Sequence, residues 1–147
     1  MSPIKILIDL GLLCWSTLLL GMSKGWASRE DAIDYAVTLL VSGIEDEDVA
    51  VIASGESLEE DELLKLISNQ VKQNDCAADL DKWRLAHLLS ISESGDDEQA
   101  KLDRLQVVYA NFEYPEDMAS CSIYSQDEID PLVAMTKVVE ELKSRLA

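Results

Sequence analysis

Apolar residues in this chain recur at intervals of three and four, the period of a helix face, and no run alternates β-branched with polar residues as a half-buried strand would. The pattern predicts a first helix over Ile4 to Leu10, ending near Gly11. A second begins at Trp15 or Ser16 and runs to the Gly21–Gly25 region. Ser28-Arg29-Glu30-Asp31 then reads as a capping box with Asp in place of Glu, and Ile33, Ala36, Val37, Leu40 and Val41 follow at helical spacing up to a stop at Gly43. A short acidic segment, Glu45 to Ser54, sets Val49, Ala50, Ile52 and Ala53 on an inner face, and Gly55 closes it.

Ser57-Leu58-Glu59-Glu60 is spaced as a full capping box, and Leu63, Leu64, Ile67 and Val71 continue it as an apolar stripe. The next helix, Ala77 to Ser92, places Leu80, Trp83, Ala86, Leu88 and Leu89 inward and lets Asp79, Lys82 and Arg84 reach water. Asp96 or Asp97 opens a helix through Asn111 with Leu102, Leu105, Val108 and Tyr109 on one face, stopping before Tyr114-Pro115. Pro115-Glu116-Asp117-Met118 suits a short helical start, and a Ser-rich joint, Ser120 to Ser125, follows. The last helix starts between Ser125 and Asp130 and reaches Leu146, with Leu132, Met135, Val138, Val139, Leu142 and Leu146 on its apolar face.

These elements predict an all-α fold: residues 1–147 as a single compact domain of about seven or eight short helices, arranged as a bundle or an α-hairpin stack. No Gly/Ser linker or Pro-rich stretch divides the chain. Ile4 to Met22 is apolar enough to imitate a secretory signal, with Ala27 where a cleavage site would sit. Asp9 interrupts it, however, and the uncharged stretch Leu10 to Ser23 falls short of the roughly 20 residues a membrane span requires. Buried core helices are the expectation here, not membrane insertion.

Composition fits a folded domain, with 48% hydrophobic and 28% charged residues. The sign of the charge changes the picture: 29 Asp and Glu against 12 Lys and Arg give a formal net charge of -17 and a pI near 4.2. Nucleic-acid affinity comes largely from cations displacing condensed counterions, so direct nucleic-acid binding is not expected, and anionic membrane surfaces are repelled likewise. Basic proteins are the natural complement, although net charge also serves solubility.

Catalytic signatures do not emerge. Cys14, Cys76 and Cys121 are widely spaced, without a CxxC pair, and read as reduced thiols of a cytoplasmic protein. The only histidine, His87, reads as a core-edge or surface residue, and Arg84 stands where a di-iron ExxH motif needs Glu. No phosphate-binding glycine loop is present, and Gly21-Met22-Ser23-Lys24-Gly25, although spelled GxSxG, follows no strand and so lacks the context of a nucleophile elbow. Glu45-Asp46-Glu47-Asp48 does not fit an EF-hand, because consecutive helical acids diverge where a metal cage needs convergent oxygens. The expectation is therefore a non-enzyme without metal or cofactor, its oligomeric state left open.

The acids are concentrated. From Glu30 to Leu64 the chain holds twelve acidic residues and no Lys or Arg, and nine of the twelve lie between Glu45 and Glu62. A second basic-free stretch, Gln106 to Thr136, carries Glu113, Glu116, Asp117, Asp127, Glu128 and Asp130. Glu30, Asp31, Glu59, Glu60 and Glu128 sit in first turns, where capping and the helix dipole account for them. Glu45, Asp46, Glu47, Asp48, Asp61 and Glu62 remain as candidate partner contacts. Trp26 and Tyr114, near turns, are candidate aromatic anchors or core residues, and Trp15 and Trp83 are assigned to the core.

The stretch Leu7-Ile8-Asp9-Leu10-Gly11-Leu12-Leu13-Cys14-Trp15-Ser16 through Gly25-Trp26, with Ala32-Ile33-Asp34-Tyr35-Ala36, resembles a bacterial family of small acidic proteins, domain of unknown function 2247. Trp83-Arg84-Leu85-Ala86-His87-Leu88-Leu89 and Tyr114-Pro115-Glu116-Asp117-Met118 are similar too, so the resemblance covers nearly the whole chain. It implies a small helical bacterial protein of the kind encoded beside polymorphic contact-dependent toxins as immunity proteins, and it brings no catalytic residues. Two functions follow as expectations. One is an immunity protein or antitoxin that binds and neutralises a cognate basic toxin domain, such as a nuclease, through its acidic surface. The other is a non-catalytic helical adaptor or regulatory protein whose apolar groove takes a partner helix.

Overall fold

The structure, a computed structural model, describes residues 2–71, 76–122 and 129–146; among these the protein is all-α, with no strand. The α-helices are α1 Pro3–Asp9, α2 Trp15–Lys24, α3 Arg29–Val41, α4 Glu47–Ala53, α5 Glu60–Gln70, α6 Cys76–Ser92, α7 Glu98–Asn111 and α8 Pro131–Leu146, with 3-10 turns at Gly55–Ser57 and Glu116–Cys121. Packing divides the chain into two compact units, one of residues 13–80 and one of residues 1–12 with 81–147. The later boundary falls inside α6, so no linker composition marks it.

In the 13–80 unit, local chemistry sets the helix ends. Gly25 closes α2 in the left-handed region (φ 79°), which costs a glycine little, and the Trp26 amide then donates to the Gly21 carbonyl at 2.7 Å. The predicted box opens α3: Ser28 accepts from the Asp31 amide, and the Asp31 carboxylate accepts from the Ser28 amide at 2.8 Å. Helix α3 packs on α4, and the two bury Ala32 and Ala36 on α3 and Val49 and Ile52 on α4. That choice of face overturns part of the predicted stripe. Val37 and Val41, expected inside, face water, and Val41 is 83% exposed. Helix α5 packs on α2 and α4 and buries Leu63 and Ile67.

The capping box at Ser57 does not form. Ser57 ends the 3-10 turn, and α5 starts at Glu60 behind Glu59, which makes no side-chain cap. A tertiary contact has taken the segment: the Arg29 guanidinium donates to the carbonyls of Gly55 and Glu56, each at 3.3 Å, and to that of Leu58. One side chain thereby ties the start of α3 to the α4–α5 connection. Hydrogen bonds from a charged donor contribute about 1.5–3 kcal/mol where they are well shielded. Arg29→Ala is accordingly expected to lower stability by about 1–2 kcal/mol at this half-buried site, read as a shift in the urea midpoint. Arg29→Lys, a point charge that cannot span three carbonyls, should recover less than half of the loss.

In the other unit, α1 buries Ile6 and Leu7, and α7 and α8 pack on each other and on the turn Glu116–Cys121. Asp97 caps α7, accepting from the Ala100 amide at 2.8 Å. Helix α7 ends at Asn111, and beyond it Glu113 and Tyr114 both turn left-handed (φ 61° and 54°), with the Tyr114 amide donating back to the Tyr109 carbonyl at 2.9 Å. Helix α8 presents the predicted apolar face, with Met135, Val138, Val139 and Leu142 buried. The Ser120–Ser125 joint runs partly outside the described residues, as does Glu128.

Helix α6 departs most from expectation. Asp79 and Arg84, predicted to reach water, are 3% and 4% exposed, while Leu80, predicted inward, is exposed. Trp83, Leu85, Leu88 and Ile91 are buried on different sides of α6, so it is surrounded rather than amphipathic, and its polar residues must find partners inside.

Candidate interaction surface

The six candidate carboxylates all lie in the 13–80 unit. Glu45 is exposed in the α3–α4 connection. Asp46 is the N-cap of α4, its Oδ1 accepting from the amides of Asp48 at 2.9 Å and Val49 at 3.2 Å. Glu47 and Asp48 occupy the first turn of α4, and Asp61 and Glu62 the first turn of α5, where the helix dipole stabilises negative charge. Capping thus explains more of the acidity than the sequence indicates, reaching five of the six candidates. It does not remove their field, because all but Asp48 are exposed.

The six do not form one cluster. Gln70 Nε2, on the last residue of α5, reaches Asp46 Oδ1 at 3.4 Å, so the start of α4 lies beside the end of α5. At 1.5 Å per residue, Asp61 and Glu62 stand roughly 12–14 Å back along the α5 axis. Two acidic sites result, Glu45–Asp48 at one end of α5 and Glu59–Glu62 at the other.

Beside the first lies a feature that the sequence reading missed. Val37, Val41, Ile44 and Val51 are 44%, 83%, 47% and 42% exposed, on α3, α4 and their connection. The available signal was Ala32 and Ala36, which offer α3 a second, smaller packing face. Of the aromatic candidates, Tyr114 is exposed, with Tyr109 edge-on at 5.1 Å, and Trp26 is half-buried. Trp83 is core as expected. Trp15 is only half-buried, its ring edge-on to Tyr35 at 4.7 Å.

The remaining polar groups hold structure together. Arg84 forms a fork on Asp117, one arm at 2.9 Å to Oδ2 and the other on Oδ1, and also reaches Asp81 at 3.1 Å; Asp81 in turn pairs with Arg145 of α8 at 3.3 Å. In the 13–80 unit, Thr17 donates to Asp79 at 2.6 Å, and the Cys14 thiol lies 3.1 Å from the Thr17 hydroxyl. Burial, then the Asp117 charge, push the Cys121 thiol up to about 11, which suppresses the reactive thiolate. Burial, then the Cys14 charge, raise the Tyr35 hydroxyl. His87 lies edge-on to Phe112 at 5.8 Å, and burial, then the Arg104 charge, hold it down at about 4, so its imidazole is neutral at pH 7. The Cys76 side chain lies outside the described ones. Among the described residues, no three His, Cys, Asp or Glu side chains converge as a metal site, and no helix is long and apolar enough to cross a membrane.

Comparison with curated proteins and with solved structures returns no match. A family model does match, over residues 4–147, and the segments Trp83–Leu89 and Tyr114–Met118 inside that span are joined by the Arg84–Asp117 fork. The chain belongs to that family, DUF2247, described as uncharacterized protein conserved in bacteria.

Proposed function

We propose that this protein is a cytoplasmic, non-catalytic binding protein, an immunity protein that neutralises a basic toxin domain through the acidic surface of its 13–80 unit. The observation that carries the reading is the segment Glu30 to Leu64, which holds twelve acids and no cation and folds so that Glu45, Asp46, Glu47, Asp61 and Glu62 stay exposed. Such a surface repels itself. Apposition of a cationic partner relieves that repulsion, adds attraction and accelerates encounter. A nuclease domain, whose own cleft must attract phosphate, has the complementary charge.

The test is protection. The product of the adjacent gene is expressed from an inducible promoter with and without this protein, and survival is counted. Protection by the wild type that is weakened by combined Glu45→Gln, Glu47→Gln, Asp61→Asn and Glu62→Asn substitution is the expected result. Equal killing with and without the wild-type protein would refute the immunity reading.

A further inference from the structure

We propose that the Tyr109–Tyr114 pair at the end of α7 is a docking point for an arginine side chain of a basic protein partner. The inference rests on the proposed recognition of a basic partner and adds a contact in the other unit, with the side chain it takes. The geometry starts from the backbone. Phe112 is buried, and the next two residues, Glu113 and Tyr114, both lie in the left-handed region although neither is glycine. A large L-residue takes that conformation at a cost, and such strain gathers where a side chain must be presented in a set direction. Here it is held by the burial of Phe112 and by the hydrogen bond from the Tyr114 amide to the Tyr109 carbonyl.

The two rings meet edge to face, 5.1 Å apart at 90°, and Tyr114 is still 64% exposed. So open a ring adds little to the core, while its neighbour steadies it and lowers the entropy lost when a ligand stacks there. Two exposed carboxylates flank it in the chain, Glu113 and Glu116. At about 3.8 Å a step their backbones lie within about 8 Å of Tyr114, near enough for a cation docked on the ring to feel both charges at physiological salt. Arg84, which reaches this turn, is already shared between Asp117 and Asp81. A guanidinium suits the place because it stacks flat on a phenol face, is weakly hydrated, and keeps its N–H fork for a carboxylate while stacked. An ammonium lacks the plane, and a second copy would bring acid against acid.

The experiment follows the Tyr109 and Tyr114 ring resonances and the Glu113 amide of the full chain by NMR. A short peptide alternating Gly and Arg, or its Gly and Lys counterpart, is added at low and high salt. Tyr114→Asn removes the ring but tolerates the left-handed backbone, Tyr114→Phe keeps the ring, and Glu113→Gln/Glu116→Gln removes the flanking charge; thermal melts first establish that each variant folds. The Arg peptide is expected to shift both rings and to bind there at least about 3-fold tighter than the Lys peptide. Tyr114→Asn should abolish that preference at the Glu113 amide, Tyr114→Phe should keep it, and Glu113→Gln/Glu116→Gln should weaken both peptides and flatten the salt dependence. Equal affinity of the two peptides at the tyrosines, or a preference that survives Tyr114→Asn, would overturn the inference. Peptide-induced shifts at Glu45 to Glu62 with none at Tyr114 would overturn the docking point and leave the basic-partner reading standing. Shifts at neither place would count against both. Tyr114 shifts that follow protein concentration and ignore the peptides would assign the pair to a second copy and overturn the inference.

Discussion

Asp117→Ala is expected to destabilise the protein by about 2–4 kcal/mol, more than Arg84→Met at the other end of the same fork. The asymmetry follows from burial: the Arg84 side chain is 5% exposed and that of Asp117 32%. Removing the carboxylate strands a buried guanidinium with only Asp81, itself shared with Arg145, to balance it. Removing the guanidinium instead leaves a carboxylate that water can reach, and methionine fills much of the vacated volume. An uncompensated buried charge typically costs about 3–5 kcal/mol, and the remaining Asp81 contact reduces that range here. Urea denaturation of the two single variants and of Arg84→Met/Asp117→Leu measures the difference. The double variant should recover most of the Asp117→Ala loss. Equal losses in the two single variants would mean that Arg84 is better solvated than its burial indicates.

Acid should destabilise the fold through His87 before general protonation of carboxylates does. Its folded pKa is held at about 4, below the ordinary 6.5, so the native state keeps the imidazole neutral while the unfolded chain protonates it. In that window the unfolded state binds more protons, and stability falls as pH falls. The contribution is complete above pH 6.5 and is lost progressively down to about pH 4. After discounting for partial exposure it amounts to about 2 kcal/mol. His87→Gln removes the titrating group. Between pH 7 and pH 4.5 the wild type should therefore lose about 1.5 kcal/mol more than the variant. Parallel profiles would show that the histidine is solvated in the native state.

These two residues mark where the sequence stops being legible. Local chemistry is written in it: Gly25 can only end α2, Ser28 with Asp31 opens α3, and Asp97 opens α7. Wherever a distant partner decides, periodicity fails. Ser57 has the right neighbours for a capping box, yet Arg29 binds the carbonyls of the connection and fixes it as a 3-10 turn. Arg84 and Asp79 have the polarity of surface residues, yet they are buried because Asp117 and Thr17 meet them there. Val37 and Val41 fit an apolar stripe, yet α3 buries Ala32 and Ala36 and leaves both valines to water. The acidity of the candidate surface is plain from composition. Its arrangement into two sites at opposite ends of α5 is not, because that depends on how α4 and α5 pair.

Recognition of a cationic protein by an acidic surface is the central claim. Titration calorimetry of this protein against the purified product of the adjacent gene, at low and at high salt, tests that claim most directly. Tight binding that weakens steeply as salt rises is the predicted result. Absence of binding at low salt, or binding indifferent to salt, would contradict it.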